Sequence, residues 1–219
     1  TCLAPNHLLV EEEVKDELIS SMKYFIQQFF GERPTQSNSL GKMNPRQFER
    51  ITSLLQKEKD QNKVLLGGEI DSNQNKISPT LIEVQSIDDP LMQEDELFSP
   101  LFPVITIKDL SSAIIDIRKE PKPLAIYMFG GDKVQQEELL KKTSSGGVCF
   151  NDVIMQAAIP ELPFGGVGNS GMGSYHGKAG YENFSHKKAV FYRPFWLDIN
   201  FRYPPYKLDI SFLTNLFKL

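Results

Sequence analysis

The sequence is poor in the residues that build metal centres and disulfide frameworks. It contains two cysteines and three histidines among 219 residues. Cys2 and Cys149 lie far apart in the chain, and no histidine stands at a metal-ligand spacing. We therefore expect no metal site, no disulfide scaffold and a reducing compartment.

The sequence also lacks an excess of one charge and any long apolar run. Lys and Arg number 24 and Asp and Glu number 28, so the net charge is −4. This balance gives no electrostatic reason to expect nucleic acid as a partner. No apolar run reaches the ~20 residues that span a bilayer, and we expect no secretory signal.

The apolar pattern indicates an α/β protein. Apolar side chains recur at three- and four-residue spacing over residues 11–31, and Asn44-Pro45 opens a second predicted helix. Residues 104–150 alternate strand, helix, strand, helix and strand, which predicts a parallel sheet covered on both faces. Residues 187–192 are predicted to form an isolated strand. Residues 208–219 are predicted to form a short apolar helix that either packs on the domain or lies on a membrane surface.

A Gly-rich loop over residues 160–178 contains a match to the dinucleotide fingerprint. Residues 166–171 spell GxGxxG, which binds a dinucleotide when a strand leads in and a helix follows. Here Pro163-Phe164 leads in and no periodic helix follows. We therefore expect these glycines to permit tight turns and close backbone approach instead.

The sequence alone does not decide the roles of two further residues. Cys2 lies in a turn-forming stretch before a strand, where a cysteine is either a small buried apolar residue or a nucleophile without an identifiable base. His176 lies beside the Gly-rich loop and is either a site residue or a hydrogen-bonded structural histidine. Cys149 sits in a strand pattern and is predicted to belong to the core.

Several segments together resemble the class 3 aldehyde dehydrogenases. Residues 1–5 (TCLAP) resemble the segment around the family's nucleophile, and residues 96–100 (ELFSP) are similar to its E-x-F-G-P motif. The other matching segments are residues 122–127 (KPLAIY), residues 143–153 (TSSGGVCFNDV) and residues 162–178 (LPFGGVGNSGMGSYHGK). The resemblance runs along the chain in order and corresponds to the C-terminal half of a family member. The tail is closer to the membrane-associated fatty aldehyde branch.

This resemblance implies a fold and a set of site residues. Residues 1–185 would form the parallel-sheet catalytic domain of the aldehyde dehydrogenase fold, and residues 186–219 an oligomerisation strand and tail, with the nucleotide-binding domain absent. The implied site residues are the nucleophile Cys2, Glu96 and Phe98 at NAD or NADP, and Phe164 and His176 in the aldehyde pocket, with no metal. One departure is Ser99, where the family usually has glycine, which is tolerable if the φ angle of Ser99 is negative.

The resemblance also implies an activity and a setting. A medium- or long-chain fatty aldehyde would be oxidised to a carboxylic acid through a thiohemiacetal and a thioester on Cys2. The general base and the oxyanion asparagine would lie upstream, so this chain alone is predicted to be inactive. The implied assembly is a homodimer in the cytoplasm or on the cytosolic face of an intracellular membrane.

Two other interpretations remain. The chain could act as a non-catalytic binding or regulatory partner that inserts its C-terminal strand into a full-length subunit. It could instead be a cofactor-independent thiol esterase that uses Cys2. For an isolated chain we also expect exposed apolar surface and poor solubility.

Overall fold

A computed structural model describes residues 1–94, 96–198, 203–205, 211 and 214. The chain divides into two compact units, Thr1–Phe184 and Ser185–Leu219. The helices and strands given below all lie in the first unit. The helices are α1 (Glu12–Phe30), α2 (Pro45–Asp60), α3 (Leu110–Lys119), α4 (Lys133–Lys142), α5 (Met155–Ala158) and α6 (Gly177–Asn183). The strands are β1 (Leu8–Glu11), β2 (Val64–Leu66), β3 (Ile70–Asp71), β4 (Lys76–Ile77), β5 (Thr80–Val84), β6 (Leu101–Ile107), β7 (Ala125–Met128) and β8 (Gly147–Phe150).

Capping residues determine where three of the helices begin. The Asn44 side chain accepts a hydrogen bond from the Gln47 N–H at 2.9 Å, and Pro45 occupies the first turn of α2. Asp109 and Asp132 cap α3 and α4 in the same way. These caps satisfy N–H groups that have no partner inside the helix. The helix predicted to open at Asn44-Pro45 is therefore confirmed.

The sheet topology differs from the predicted single parallel sheet. One sheet has the order β1-β6-β5-β2, in which β1, β6 and β5 are parallel and β2 is antiparallel to β5. Strands β7 and β8 form a separate parallel pair, and β3 and β4 an antiparallel one. The strands predicted over residues 104–150 exist, but β6 and β7 belong to different sheets. Apolar periodicity reports which face of a strand is buried and carries no information about which strand lies beside it.

The larger sheet is covered on both faces. Ile82 and Ile105 pack with α2 residues such as Leu55 on one face. Their neighbours Leu81 and Val104 point the other way and pack with Val10 and, from α1, with partly buried Leu18, Ile19 and Met22. Successive side chains of a strand point to opposite faces, so a strand covered on both sides is apolar throughout. A smaller cluster joins α3, β7 and α4 through Ile114, Ile126 and Leu139.

Part of the apolar surface of α1 stays exposed. Val14, Phe25 and Phe29 belong to the three- and four-residue spacing that predicts this helix, yet they are 48%, 51% and 66% exposed. The sheet in this chain covers only the stripe that carries Leu18 and Met22. Exposed apolar surface is thus observed, and poor solubility stays a prediction.

The strand predicted in the second unit is not observed. Residues 187–192 were expected to form a strand, but the described residues 187–193 are not in a strand. Phe191 and Tyr192 are 85% and 89% exposed. A strand is stable only when its backbone groups pair with a neighbouring strand, so β propensity alone does not form one here. The helix predicted over residues 208–219 lies outside the described residues, apart from 211 and 214.

Candidate active site

Cys2 occupies a tight turn at the surface. The turn comprises residues 1–4 and is called the Cys2 turn below. It is closed by the Ala4 N–H, which donates to the Thr1 carbonyl at 3.0 Å. The Cys2 thiol is free and exposed, whereas its neighbour Leu3 is 6% exposed. Cys2 therefore lies at the surface of this chain and not in its core.

Two hydrogen bonds to distant segments hold the Cys2 turn and the residues that follow it. The Tyr127 hydroxyl on β7 donates to the Leu3 carbonyl at 2.8 Å. The Leu97 N–H donates to Asn6 Oδ1 at 3.0 Å. The nucleophile candidate is thus tied both to β7 and to the segment that carries the cofactor candidates.

That second segment is the 96–98 loop, which lies between β5 and β6. Glu96 is exposed and Phe98 is 54% exposed, while Leu97 between them is 2% exposed. Burial of Leu97 anchors the loop and directs its two neighbours outward. Phe98 has a φ angle of 43°, in the left-handed region that few non-glycine residues adopt. The positive φ angle is therefore at Phe98 and not at Ser99, so a serine is tolerated at position 99.

Two residues of α2 that the sequence pattern did not single out support this loop. Gln47 Nε2 donates to the carbonyls of Leu97 and Phe98 at 2.7 and 3.2 Å. Arg50 Nη2 donates to the carbonyls of Leu97 and Glu96 at 2.8 and 3.2 Å. Gln47 and Arg50 are three residues apart and share a helix face. Nothing in the local sequence shows that this face meets a loop almost fifty residues away.

The structure brings the two pocket candidates together. Phe164 pairs with Tyr175 in an antiparallel bridge, with both N–H···O distances at 2.9 Å. The His176 ring stacks on Phe164 with a centroid distance of 5.9 Å and lies 4.7 Å from the Tyr175 ring. His176 Nδ1 is buried and has no hydrogen-bond partner in the part of the chain that the structure describes. The result is a half-buried aromatic cluster with one unused polar atom.

The Gly-rich loop behaves as a close-packed backbone segment. A Cβ on Gly166 would lie 1.9 Å from the Ser170 carbonyl oxygen. A Cβ on Gly146 would lie 2.2 Å from the Gly165 carbonyl oxygen. The segment after Gly166 is a single 3₁₀ turn, Gly168–Ser170, with no helix following directly. The fingerprint thus lacks its structural context, as expected.

His7 lies at the start of β1, shortly after the Cys2 turn. Burial lowers the pKa of its imidazole below the ordinary value of 6.5. Its Nδ1 atom is buried without a hydrogen-bond partner among the described residues. At neutral pH this histidine is therefore mainly uncharged.

An ion cluster links the end of α2 to the segment that leads into the 96–98 loop. Lys63 Nζ lies 3.2 Å from Glu58 Oε2 and 3.0 Å from Asp89 Oδ2. The side chains of Glu58 and Asp89 are 7% and 9% exposed. Partial desolvation pulls the pKa of Lys63 down, but hydrogen bonds and charge attraction from the two carboxylates together raise it above 10.5.

Two kinds of feature are missing from the residues that the structure describes. They contain no cluster of three or more His, Cys, Asp or Glu side chains arranged to hold a metal ion. No helix among them is both long and apolar enough to cross a membrane.

A sequence model described as "Aldehyde dehydrogenase family" matches residues 1–190. The chain belongs to the aldehyde dehydrogenase family, and its resemblance to the class 3 members is confirmed.

Individual relatives agree with this assignment. "Aldehyde dehydrogenase family 3 member H1" of Arabidopsis thaliana is 40% identical, over 94% of this chain and 42% of the relative. "Aldehyde dehydrogenase, dimeric NADP-preferring" of Mus musculus is 40% identical, over 88% of this chain and 42% of the relative. The solved structure titled "Substrate bound state of Staphylococcus Aureus AldH" has a TM-score of 0.83 and 38% identity, and the match covers 99% of this chain and 47% of that one. The chain therefore spans less than half the length of the relatives it matches.

Proposed function

We propose that this chain is the nucleophile-bearing part of a nicotinamide-dependent aldehyde dehydrogenase. The observation that carries the proposal is the placement of Cys2. Its thiol is exposed at a turn that is hydrogen-bonded to β7, and the same segment is bonded to the loop that presents Glu96 and Phe98. An exposed cysteine held by its surroundings suits a nucleophile, whereas a buried one suits packing.

The proposed chemistry proceeds on the Cys2 sulfur. The thiolate adds to the aldehyde carbonyl carbon, a C–S bond forms, and the carbonyl electron pair moves to oxygen to give a thiohemiacetal. The Cys2 backbone N–H contributes one donor to this oxyanion. When the carbonyl re-forms with loss of hydride, the sulfur carries a thioester. Addition of water then breaks the C–S bond, which releases the acid and the thiolate.

The 96–98 loop fits a nicotinamide nucleotide by one hydrogen-bond acceptor and one aromatic ring. The exposed Glu96 carboxylate can accept hydrogen bonds from ribose hydroxyls, and the half-exposed Phe98 ring offers a flat apolar surface. The bound cofactor, NAD or NADP, supplies the acceptor for the hydride. The name of the mouse relative records a dimer with NADP preference. These features support a nicotinamide cofactor and a homodimeric assembly for this chain.

The aromatic cluster of Phe164, Tyr175 and His176 is proposed to contact the aldehyde. Its half-buried rings favour an apolar chain of medium or greater length over a small polar aldehyde. The exposed side chains of Val190, Phe191 and Tyr192 support a role for the second unit in contacts between copies. A cytoplasmic location, with or without attachment of the tail to a membrane surface, stays part of the proposal.

The decisive test replaces the matched segment of Staphylococcus aureus AldH with this chain and measures nicotinamide reduction with aldehydes of increasing length. We expect Cys2→Ser to abolish turnover and the matched control Cys149→Ser to retain at least half of it. Turnover that survives Cys2→Ser would contradict the proposal. A rate that falls as the aldehyde lengthens would contradict the substrate assignment alone.

The chain by itself is expected not to oxidise aldehydes, because the resemblance assigns none of its residues to the general base or the oxyanion asparagine. Ester hydrolysis without cofactor that is lost in Cys2→Ala would support the thiol esterase. Binding to a full-length subunit without any turnover would support the non-catalytic partner.

A further inference from the structure

We propose that Tyr127 and Asn6 are positioning residues that hold the Cys2 turn at a fixed place relative to the 96–98 loop. The inference rests on the proposed function, since it concerns the residue named there as nucleophile. It adds two residues that do not touch the reacting atoms and act through the backbone that carries the sulfur.

The first contact fixes the turn against β7. Tyr127 and Leu3 are 124 residues apart, and the hydroxyl-to-carbonyl distance is 2.8 Å. The hydroxyl is itself hydrogen-bonded, because Gln156 Nε2 donates to it at 3.4 Å. The Leu3 carbonyl belongs to the Cys2 turn, so this bond limits rotation of the peptide unit between Leu3 and Ala4, close to Cys2.

The second contact fixes the same segment against the 96–98 loop. The Leu97 N–H donates to Asn6 Oδ1, while the Leu97 carbonyl accepts from both Gln47 and Arg50. Both polar groups of Leu97 are therefore engaged, one toward the nucleophile segment and the other toward α2. Leu97 is also 2% exposed, so the loop cannot move without exposing it.

Together the two contacts form a bridge from β7 through the Cys2 turn to the 96–98 loop. A reaction that joins a thiolate, an aldehyde and a cofactor needs its groups held to within about 0.5 Å. The Tyr127 hydroxyl and the Leu97 N–H, both from distant segments, supply such a constraint to the segment that carries Cys2.

The test measures the alkylation rate of Cys2 by iodoacetamide across pH in this polypeptide, with Cys149 as internal reference and the peptide Thr-Cys-Leu-Ala-Pro as the unstructured limit. We expect Tyr127→Phe to move the Cys2 rate at least threefold toward the peptide value, with Cys149 and the circular dichroism unchanged. Tyr24→Phe, on the exposed face of α1, is the matched control and should change nothing.

Asn6 gives an independent arm should Tyr127→Phe perturb folding. Asn6→Leu removes the acceptor and should act like Tyr127→Phe, whereas Asn6→Asp keeps an acceptor oxygen and should stay within twofold of the wild type. A Cys2 rate that already equals the peptide value, or one that moves less than threefold in Asn6→Leu, overturns the inference. The assay uses neither aldehyde nor cofactor, so this outcome is separate from failure of the proposed function.

Discussion

Replacing Lys63 by methionine should destabilise the fold, because it removes the cation beside two largely buried carboxylates. The change takes away a cation that lies within 3.2 Å of both Glu58 and Asp89, whose side chains are 7% and 9% exposed. The backbone bonds of Lys63, from its N–H to the Glu58 carbonyl and from the Glu83 N–H to its own carbonyl, remain in the variant.

The magnitude follows from the burial of the two carboxylates. Breaking a buried ion pair by removing one partner costs about 3–5 kcal/mol. The Lys63 side chain is 22% exposed, so water already stabilises part of its charge. We therefore expect the lower part of that range, about 3 kcal/mol, which corresponds to a fall of roughly 6–12 °C in Tm for a chain of this size.

The assay is urea unfolding followed by circular dichroism at neutral pH. Lys119→Met is the matched control, because its ion pair with Asp116 is exposed and should contribute little. Adding Glu58→Gln and Asp89→Asn to Lys63→Met should recover part of the loss by removing the uncompensated charges. If Lys63→Met lowers the unfolding midpoint no more than Lys119→Met does, the cluster is not a structural element and the reasoning is wrong.

The remaining predictions concern pH and backbone packing. The pKa of Lys63 in the folded protein lies above 10.5. Its contribution to stability is therefore complete below pH 10.5 and is lost as the pH rises through the folded pKa. Unfolding experiments at increasing pH should show this loss for the wild type and not for Lys63→Met. The pKa of His7 is lowered from 6.5, so stability should fall as pH drops below about 6.5, and His7→Gln should remove this slope in the same titration. Gly166→Ala places a Cβ 1.9 Å from the Ser170 carbonyl oxygen and should lower Tm by several degrees. The control Gly41→Ala, whose Cβ would have no atom within 4 Å, should leave Tm unchanged. Equal effects of the two variants on Tm would show that the Gly-rich loop relaxes freely.

The local elements of this fold can be predicted from sequence because their causes are local. Asn44 followed by Pro45 specifies where α2 begins, and the observed cap confirms it. The glycines at 165 and 166 were expected to permit close backbone approach, and the contacts that a Cβ would make bear this out.

The non-local features could not be predicted in the same way. The strands β5 and β7 lie about twenty residues before and after β6 in the chain, and either could be its partner in the sheet. The apolar pattern of β6 would be the same with either partner. The roles of Gln47 and Arg50 depend on a loop from another part of the chain. The left-handed backbone at Phe98 was missed because the usual signals for it are glycine and asparagine.

The close approach of Gly146 to Gly165 has a consequence for mutational scanning of this chain. A side chain at Gly146 or Gly166 would collide with main-chain oxygen atoms that cannot rotate away. A deep scan made in the chimera with Staphylococcus aureus AldH and scored by turnover would therefore mark these positions as intolerant, much like a reacting residue, although they carry no functional group. Scoring the same library for protein abundance would separate the two classes, since the glycine variants would be depleted and a Cys2 variant would accumulate normally.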